Sequence, residues 1–121
     1  AWTSREDLQQ LINDNGGSIP TTLGVPLEEA QRGIRSGVRK INIDTDIRMA
    51  LTGSMRKYFK ENPSSFDVRA LNKPGIARVK ALCAERFERF GSAGHADKIV
   101  PIPLADMARR YAPGGSLAAK S

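Results

Sequence analysis

The sequence predicts an α/β fold from which most of the sheet is missing. Three observations carry that expectation. Residues 38–46, Val-Arg-Lys-Ile-Asn-Ile-Asp-Thr-Asp, are the only run with the period of two that a strand requires: Ile41 and Ile43 fall on one face, and Lys40, Asn42 and Asp44 on the other. Helical patterns flank this run on both sides, giving the order helix, helix, strand, helix, helix, helix. Finally, a lone strand has no ladder partner, and even an isolated pair is marginal in water. The 121 residues are therefore expected to be a piece of a larger α/β chain. The polar face of the strand grows richer toward its C-terminal end and passes straight into a helix, which is how a (β/α)8 barrel builds part of an active site.

Taken in order, Thr3 and Glu6 make a capping box for the first helix. Leu8, Leu11 and Ile12 follow at helical spacing, and Gly16-Gly17 stop it. Residues 18–25 read as loop, with Pro20 and Gly24 as breakers. A second helix begins at Pro26; Glu28 and Glu29 complement its positive end, Leu27, Ala30 and Ile34 line one side, and Gly37 ends it. After the strand, a third helix over 47–60 carries the stripe Ile47, Leu51, Met55, Tyr58 and Phe59, with Arg48, Arg56, Lys57 and Lys60 mostly off it. Asn62-Pro63 terminates that helix, and residues 64–73 are expected to be irregular. Pro74 is expected to open a fourth helix with the stripe Ile76, Val79, Cys83, Phe87 and Phe90, broken by Gly91 and Gly94. A short last helix over 103–111 presents Leu104, Met107 and Tyr111, and the Gly- and Ala-rich tail from Pro113 is expected to fray.

Composition is that of an ordinary globular domain, 40% hydrophobic and 26% charged. No apolar run approaches the ~20 residues that span a bilayer, and no basic-then-apolar signal segment opens the chain, so a soluble cytoplasmic protein is expected. A single cysteine, Cys83, forms no internal disulfide. The net charge of +6 would suit an anionic partner, but the basic residues are spread over several helices, as solvated helix faces are. One histidine and one cysteine without ligand-like spacing make no zinc site, so no metal ligand is expected in these residues.

The run Gly37-Val38-Arg39-Lys40-Ile41-Asn42-Ile43-Asp44-Thr45-Asp46 resembles the last-strand motif of class II, zinc-dependent fructose-bisphosphate aldolases. The likeness extends to both sides. Gly16-Gly17 to Pro20 with Gly24-Val25-Pro26-Leu27-Glu28-Glu29 resembles the loop and seventh helix of that family, and Glu61-Asn62-Pro63 with Phe66-Asp67-Val68-Arg69 resembles the segment after the eighth helix. Cys83-Ala84-Glu85-Arg86-Phe87-Glu88-Arg89-Phe90-Gly91 resembles the C-terminal extension of the form found in Calvin-cycle organisms. The resemblance implies the C-terminal part of a (β/α)8 TIM barrel: residues 1–62 would hold the last barrel units and 63–121 a C-terminal helical extension. It implies a lyase of glycolysis, gluconeogenesis and the Calvin cycle, cleaving fructose 1,6-bisphosphate reversibly into dihydroxyacetone phosphate and glyceraldehyde 3-phosphate. Its partners would be a phosphorylated sugar, the rest of the aldolase chain and further copies in a homo-oligomer, with neither nucleic acid nor membrane. The Zn2+ of this family is held by residues expected upstream of this chain, as is the acid that transfers the proton.

Asn42 and Asp44 share a parity, so in a barrel strand with Ile41 and Ile43 against the outer helices both face inward. The resemblance implies that Asn42 contacts the three-carbon unit and Asp44 its hydroxyl or phosphate end; the other reading is that both only cap the next helix. Thr45, at the helix entrance where free amides favour an anion, is the candidate for the ketose-side phosphate, or a simple N-cap. Asp46 is expected to be the cap. Arg69 matches the family's arginine for the far phosphate, often reached from a neighbouring subunit, although Val68 stands where the family often has proline. Lys40 is expected to be structural, His95 a surface residue, Cys83 a buried small hydrophobe, and Arg86 and Arg89 solvated or in subunit contacts. Three alternatives stand beside this reading: a basic helical module binding nucleic acid, a segment serving only subunit assembly, and, within the enzyme class, a tagatose-bisphosphate aldolase.

Overall fold

The computed structural model describes residues 5–21 and 24–118, and among them every regular element is helical. The helices are α1 (Glu6–Asp14), α2 (Leu27–Arg35), α3 (Thr45–Glu61), α4 (Val68–Arg89) and α5 (Leu104–Tyr111), with a 3-10 turn at Ala96–Lys98 between the last two. The middle helix is the hub, since α3 packs against both α1 and α4. No described helix is long and apolar enough to cross a membrane.

The core explains this order. Leu8 and Ile12 of α1, Met49 and Ala50 of α3 and Leu82 of α4 form one buried cluster, with Ile19, Ile47 and Val79 packed against it. Helix α3 touches neighbours on two sides and does so through small residues: Ala50 is wholly buried, and Gly53 and Ser54 are buried beside it. A Cβ on Gly53 would sit 2.8 Å from Leu11 Cδ2, which is why the close approach of α1 needs glycine there. The Ser54 hydroxyl, buried by the same approach, donates to the Ala50 carbonyl at 2.7 Å. The large stripe expected on α3 is shifted as a result: Ile47, Leu51, Met55 and Tyr58 are half-buried, and Phe59 is exposed.

The expected strand over 38–46 is not formed. Residues 38–44 are neither helix nor strand, and α3 already begins at Thr45. A strand is a pairing, and no neighbouring strand exists among the described residues to hydrogen-bond it. The alternation itself survives in burial: Ile41 and Ile43 are half-buried, whereas Lys40, Asn42 and Asp44 are exposed.

Helix α4 also departs from expectation. It starts at Val68, six residues before Pro74, because the Asp67 carboxylate accepts from the Arg69 amide at 2.9 Å and caps the first turn. Pro74 then lies inside the helix, where a missing N–H and ring crowding cost about 3 kcal/mol. Its buried face runs Gly75, Leu82, Arg86, one position away from the apolar stripe read from sequence, and Ile76 and Phe87 are exposed. Cys83 is half-buried. Thr3 of the expected capping box lies outside the described residues; the N-cap position is Arg5, with no side-chain cap bond. The other end of α1 is tied down by α3, whose Arg56 Nη1 donates to the Gly16 carbonyl and Lys60 Nζ to the Asp14 carbonyl, each at 2.7 Å.

Two substitutions in the full-length chain check this packing. Leu82→Ala is expected to cost about 2–5 kcal/mol by opening a cavity at the centre of the cluster. Gly53→Val is expected to cost about 1–3 kcal/mol by overpacking the contact between α1 and α3. Both are read as shifts of the denaturant midpoint at unchanged slope.

Candidate functional site

The segment entering α3 gathers three of the residues singled out in the sequence. Ile41 and Ile43 line a cavity of about 380 Å³ against Leu82 and Phe87 of α4. Asn42 and Asp44 are exposed and line no part of it. Asp44 stands at the N-cap of α3, yet its carboxylate makes no cap hydrogen bond. Arg48, one turn on, takes it instead through Nε at 2.8 Å, in a pair exposed enough to be worth little. Thr45 is the first residue of α3 and half-buried. The amides that open the helix follow it, where the dipole favours an anion.

Asp46 is not the cap of α3. Its side chain is fully buried in the first turn of α3, and Arg86 Nη2 from the last turn of α4 donates to its Oδ2 at 3.1 Å. Arg86 is buried with it, at 6% side-chain exposure, which corrects the expectation of a solvated arginine. Neighbouring charges extend the pair. Arg86 Nη1 lies 3.9 Å from Glu85, Glu85 accepts from Arg5 Nη1, and Arg5 Nε bonds Asp7 at 2.9 Å. Asp7 raises the pKa of the Arg5 guanidinium through that hydrogen bond, and Arg5 in turn holds the Asp7 carboxyl below its ordinary value. The signal for this buried pair lay in spacing: Arg86 follows Leu82 by four, and Asp46 precedes Ala50 by four, so each shares a face with a core residue.

Arg69 lies at the far end of this unit. Helix α3 runs 17 residues from Thr45, roughly 25 Å at ~1.5 Å per residue, before the chain turns back into α4. Arg69 opens α4, 89% exposed, beside Phe66 and Val68, which are exposed as well. Its guanidinium forks onto Asp67, Nε to Oδ1 at 3.1 Å and Nη2 to Oδ2 at 3.0 Å. The same arginine's side chain, then its amide, lowers the Asp67 pKa. One chain thus brings Asn42, Asp44 and Thr45 together and leaves Arg69 a helix length away.

No set of three His, Cys, Asp or Glu among the described residues could hold a metal ion. His95 is exposed, its Nδ1 2.8 Å from the Ala93 carbonyl oxygen, and Cys83 lies on α4. The zinc implied by the sequence resemblance therefore finds no ligand set here, since a catalytic zinc needs three protein ligands. Lys40 is exposed, not enclosed as its depth in a strand would suggest.

Because Asp67's folded pKa is depressed, its contribution is present above the ordinary value of 3.8 and is lost as pH falls through the lower, folded value. A carboxyl NMR titration is expected to give a midpoint below 3.8, moving up toward it in Arg69→Ala.

Comparison with known proteins identifies the family. The family model for fructose-bisphosphate aldolase class-II matches residues 17–95. The chain is 58% identical over 107 residues to fructose-bisphosphate aldolase 1 of Cereibacter sphaeroides, covering 88% of this chain and 30% of that one. It is 54% identical over 114 residues to fructose-bisphosphate aldolase 2 of Rhodobacter capsulatus, covering 94% of this chain and 99% of that one. Against the aldolase of Nostoc commune it is 53% identical over 109 residues, covering 90% and 30%. It thus spans about 30% of the length of the first and third of these relatives. With the family model covering most of its length and identity above one half over nearly all of it, the chain belongs to the class-II fructose-bisphosphate aldolase family.

Proposed function

We propose that this chain is the substrate-gripping C-terminal part of an aldolase that cleaves fructose 1,6-bisphosphate reversibly into dihydroxyacetone phosphate and glyceraldehyde 3-phosphate. The observation that carries the proposal is the exposure of both Asn42 and Asp44 immediately before α3, in a chain of this family. Within the whole enzyme, 38–44 would be the last strand of a (β/α)8 barrel, paired with staves that other residues supply. Residues 1–62 would complete the barrel, and 63–121 would form its helical extension.

In this reading each residue has a separate task. The Asn42 amide donates to an oxygen of the three-carbon unit, and the Asp44 carboxylate accepts from a substrate hydroxyl. Thr45 binds the ketose-side phosphate with its hydroxyl and the first amides of α3, where no side-chain cap competes. Arg69 forks onto the far phosphate. Its present partner, Asp67, is partly open to solvent, so a doubly charged phosphate can displace it. The helix length between Thr45 and Arg69 exceeds the reach of one six-carbon bisphosphate, which supports Arg69 serving the site of a second copy in a homo-oligomer. The zinc that the family uses, and the residue that moves the proton, would come from the rest of the chain. Fructose, not tagatose, bisphosphate is proposed because the relatives bear that name. The proposed setting is the cytoplasm.

Arg69→Ala in the full-length, assembled enzyme is expected to raise KM for fructose 1,6-bisphosphate about tenfold or more, the loss of one charge-assisted fork. Asp44→Ala is expected to lower kcat/KM about a hundredfold with assembly retained. Unchanged kinetics in both folded variants would remove the proposal. A steeply salt-dependent affinity for DNA or RNA would favour the nucleic-acid reading instead.

A further inference from the structure

The buried ion pair lies next to the proposed substrate residues without being one of them. Asp46 is the second residue of α3, one position after Thr45 and two after Asp44. We propose that Asp46 and Arg86 are positioning residues for the run 42–45: the pair pins the first turn of α3 to the last turn of α4 and so fixes where Asn42, Asp44 and Thr45 present their polar groups. The inference rests on the reading of those three residues as substrate-binding.

Several observations converge on it. The proposed strand stops at Asp44, so the direction of Thr45 and of the turn that follows depends on what anchors that turn. That turn is not held by a side-chain cap, and Asp44's bond to Arg48 is at the surface, where water competes. Its buried anchor is Asp46, at 0% side-chain exposure, 40 positions in sequence from the arginine that holds it. A charged pair is a costly way to obtain stability alone, because taking both ions out of water offsets much of their attraction; well-packed apolar residues serve as well or better. What it supplies in addition is direction, since a planar guanidinium accepts a carboxylate only over a narrow range of angles. Arg86 is itself braced. Glu85 beside it accepts from Arg5, and Arg5 pairs with Asp7 in the first turn of α1, so three helices set the orientation of one turn.

A role in stability and a role in positioning separate in one experiment on the full-length enzyme. The double variant Asp46→Leu with Arg86→Met removes both charges at similar volume and is expected to keep assembly and a melting temperature near that of the unmodified enzyme. Its KM for fructose 1,6-bisphosphate, measured per folded molecule, is expected to rise about tenfold, the effect of a sub-ångström displacement of the gripping residues. Asp46→Asn, nearly isosteric, is expected to shift KM in the same direction, and Arg86→Lys to shift it less than Arg86→Met. An unchanged KM in the folded double variant overturns the inference; if that variant does not fold, an unchanged KM in Asp46→Asn does so. Asn42→Ala and Asp44→Ala run alongside as references. If these leave the kinetics unchanged, the substrate-binding reading falls and the inference with it; if they impair the enzyme while the pair variants do not, only the positioning role is lost.

Discussion

Everything about the entrance to α3 depends on one carboxylate being buried. Asp46 has no solvent contact, and the ion that meets it, Arg86, comes from the opposite end of the chain's longest helix. Removing either partner would strip the other of its buried counter-charge, and breaking a buried pair in this way costs on the order of 3–5 kcal/mol. The outer members of the chain of charges, Arg5 and Asp7, are partly exposed and count for much less one by one. Their importance is geometric. They stiffen Glu85, which stands next to the arginine that matters.

The same constraint explains the composition of α3. A helix gripped on both sides cannot carry bulky residues along its lines of contact, so Ala50, Gly53 and Ser54 occupy them and the large side chains move to the flanks. Gly75 on α4 repeats the device: a Cβ there would lie 2.5 Å from Leu51 Cδ1. Close approach keeps Asp46 out of water, and exclusion of water gives its bond to Arg86 a strength that a surface pair lacks.

Much of this was legible in the sequence, because helix boundaries and the period of residues 38–44 depend on local chemistry. Gly16, Gly37, Gly91 and Gly94 all adopt positive φ where they were expected to stop helices, and the alternation of Ile41 and Ile43 with Asn42 and Asp44 persists in burial. What differs depends on partners. Pairing turns a period of two into a strand, and the partners are absent from the described residues. The apolar stripe of α4 pointed to Ile76, Phe87 and Phe90, yet the core took Leu82 and Arg86, because the neighbour that selects the face is the small-residue side of α3. Pro74 looks like a beginning because proline usually is one; the Asp67 cap, which starts the helix earlier, is visible only as a hydrogen bond. Asp46 reads as a helix cap and Arg86 as solvated or in a subunit contact, because polarity is a poor guide once two charges can satisfy each other.

The geometry also bears on why the proposed grip is divided. An α-helix is rigid over the length of α3, so groups at its two ends cannot converge on one small molecule however the loops move. In the proposed reading, the near phosphate is held where α3 begins and the far phosphate where the chain re-enters α4, which requires two copies for each substrate. Assembly and affinity then become linked quantities, because whatever binds across the two copies stabilises the assembled form by mass action. The antiparallel pair of helices would act as a strut between neighbouring sites. The Asp46–Arg86 pair sits at one end of that strut and Arg69 at the other, so a tilt of α4 against α3 would be felt at both sites at once.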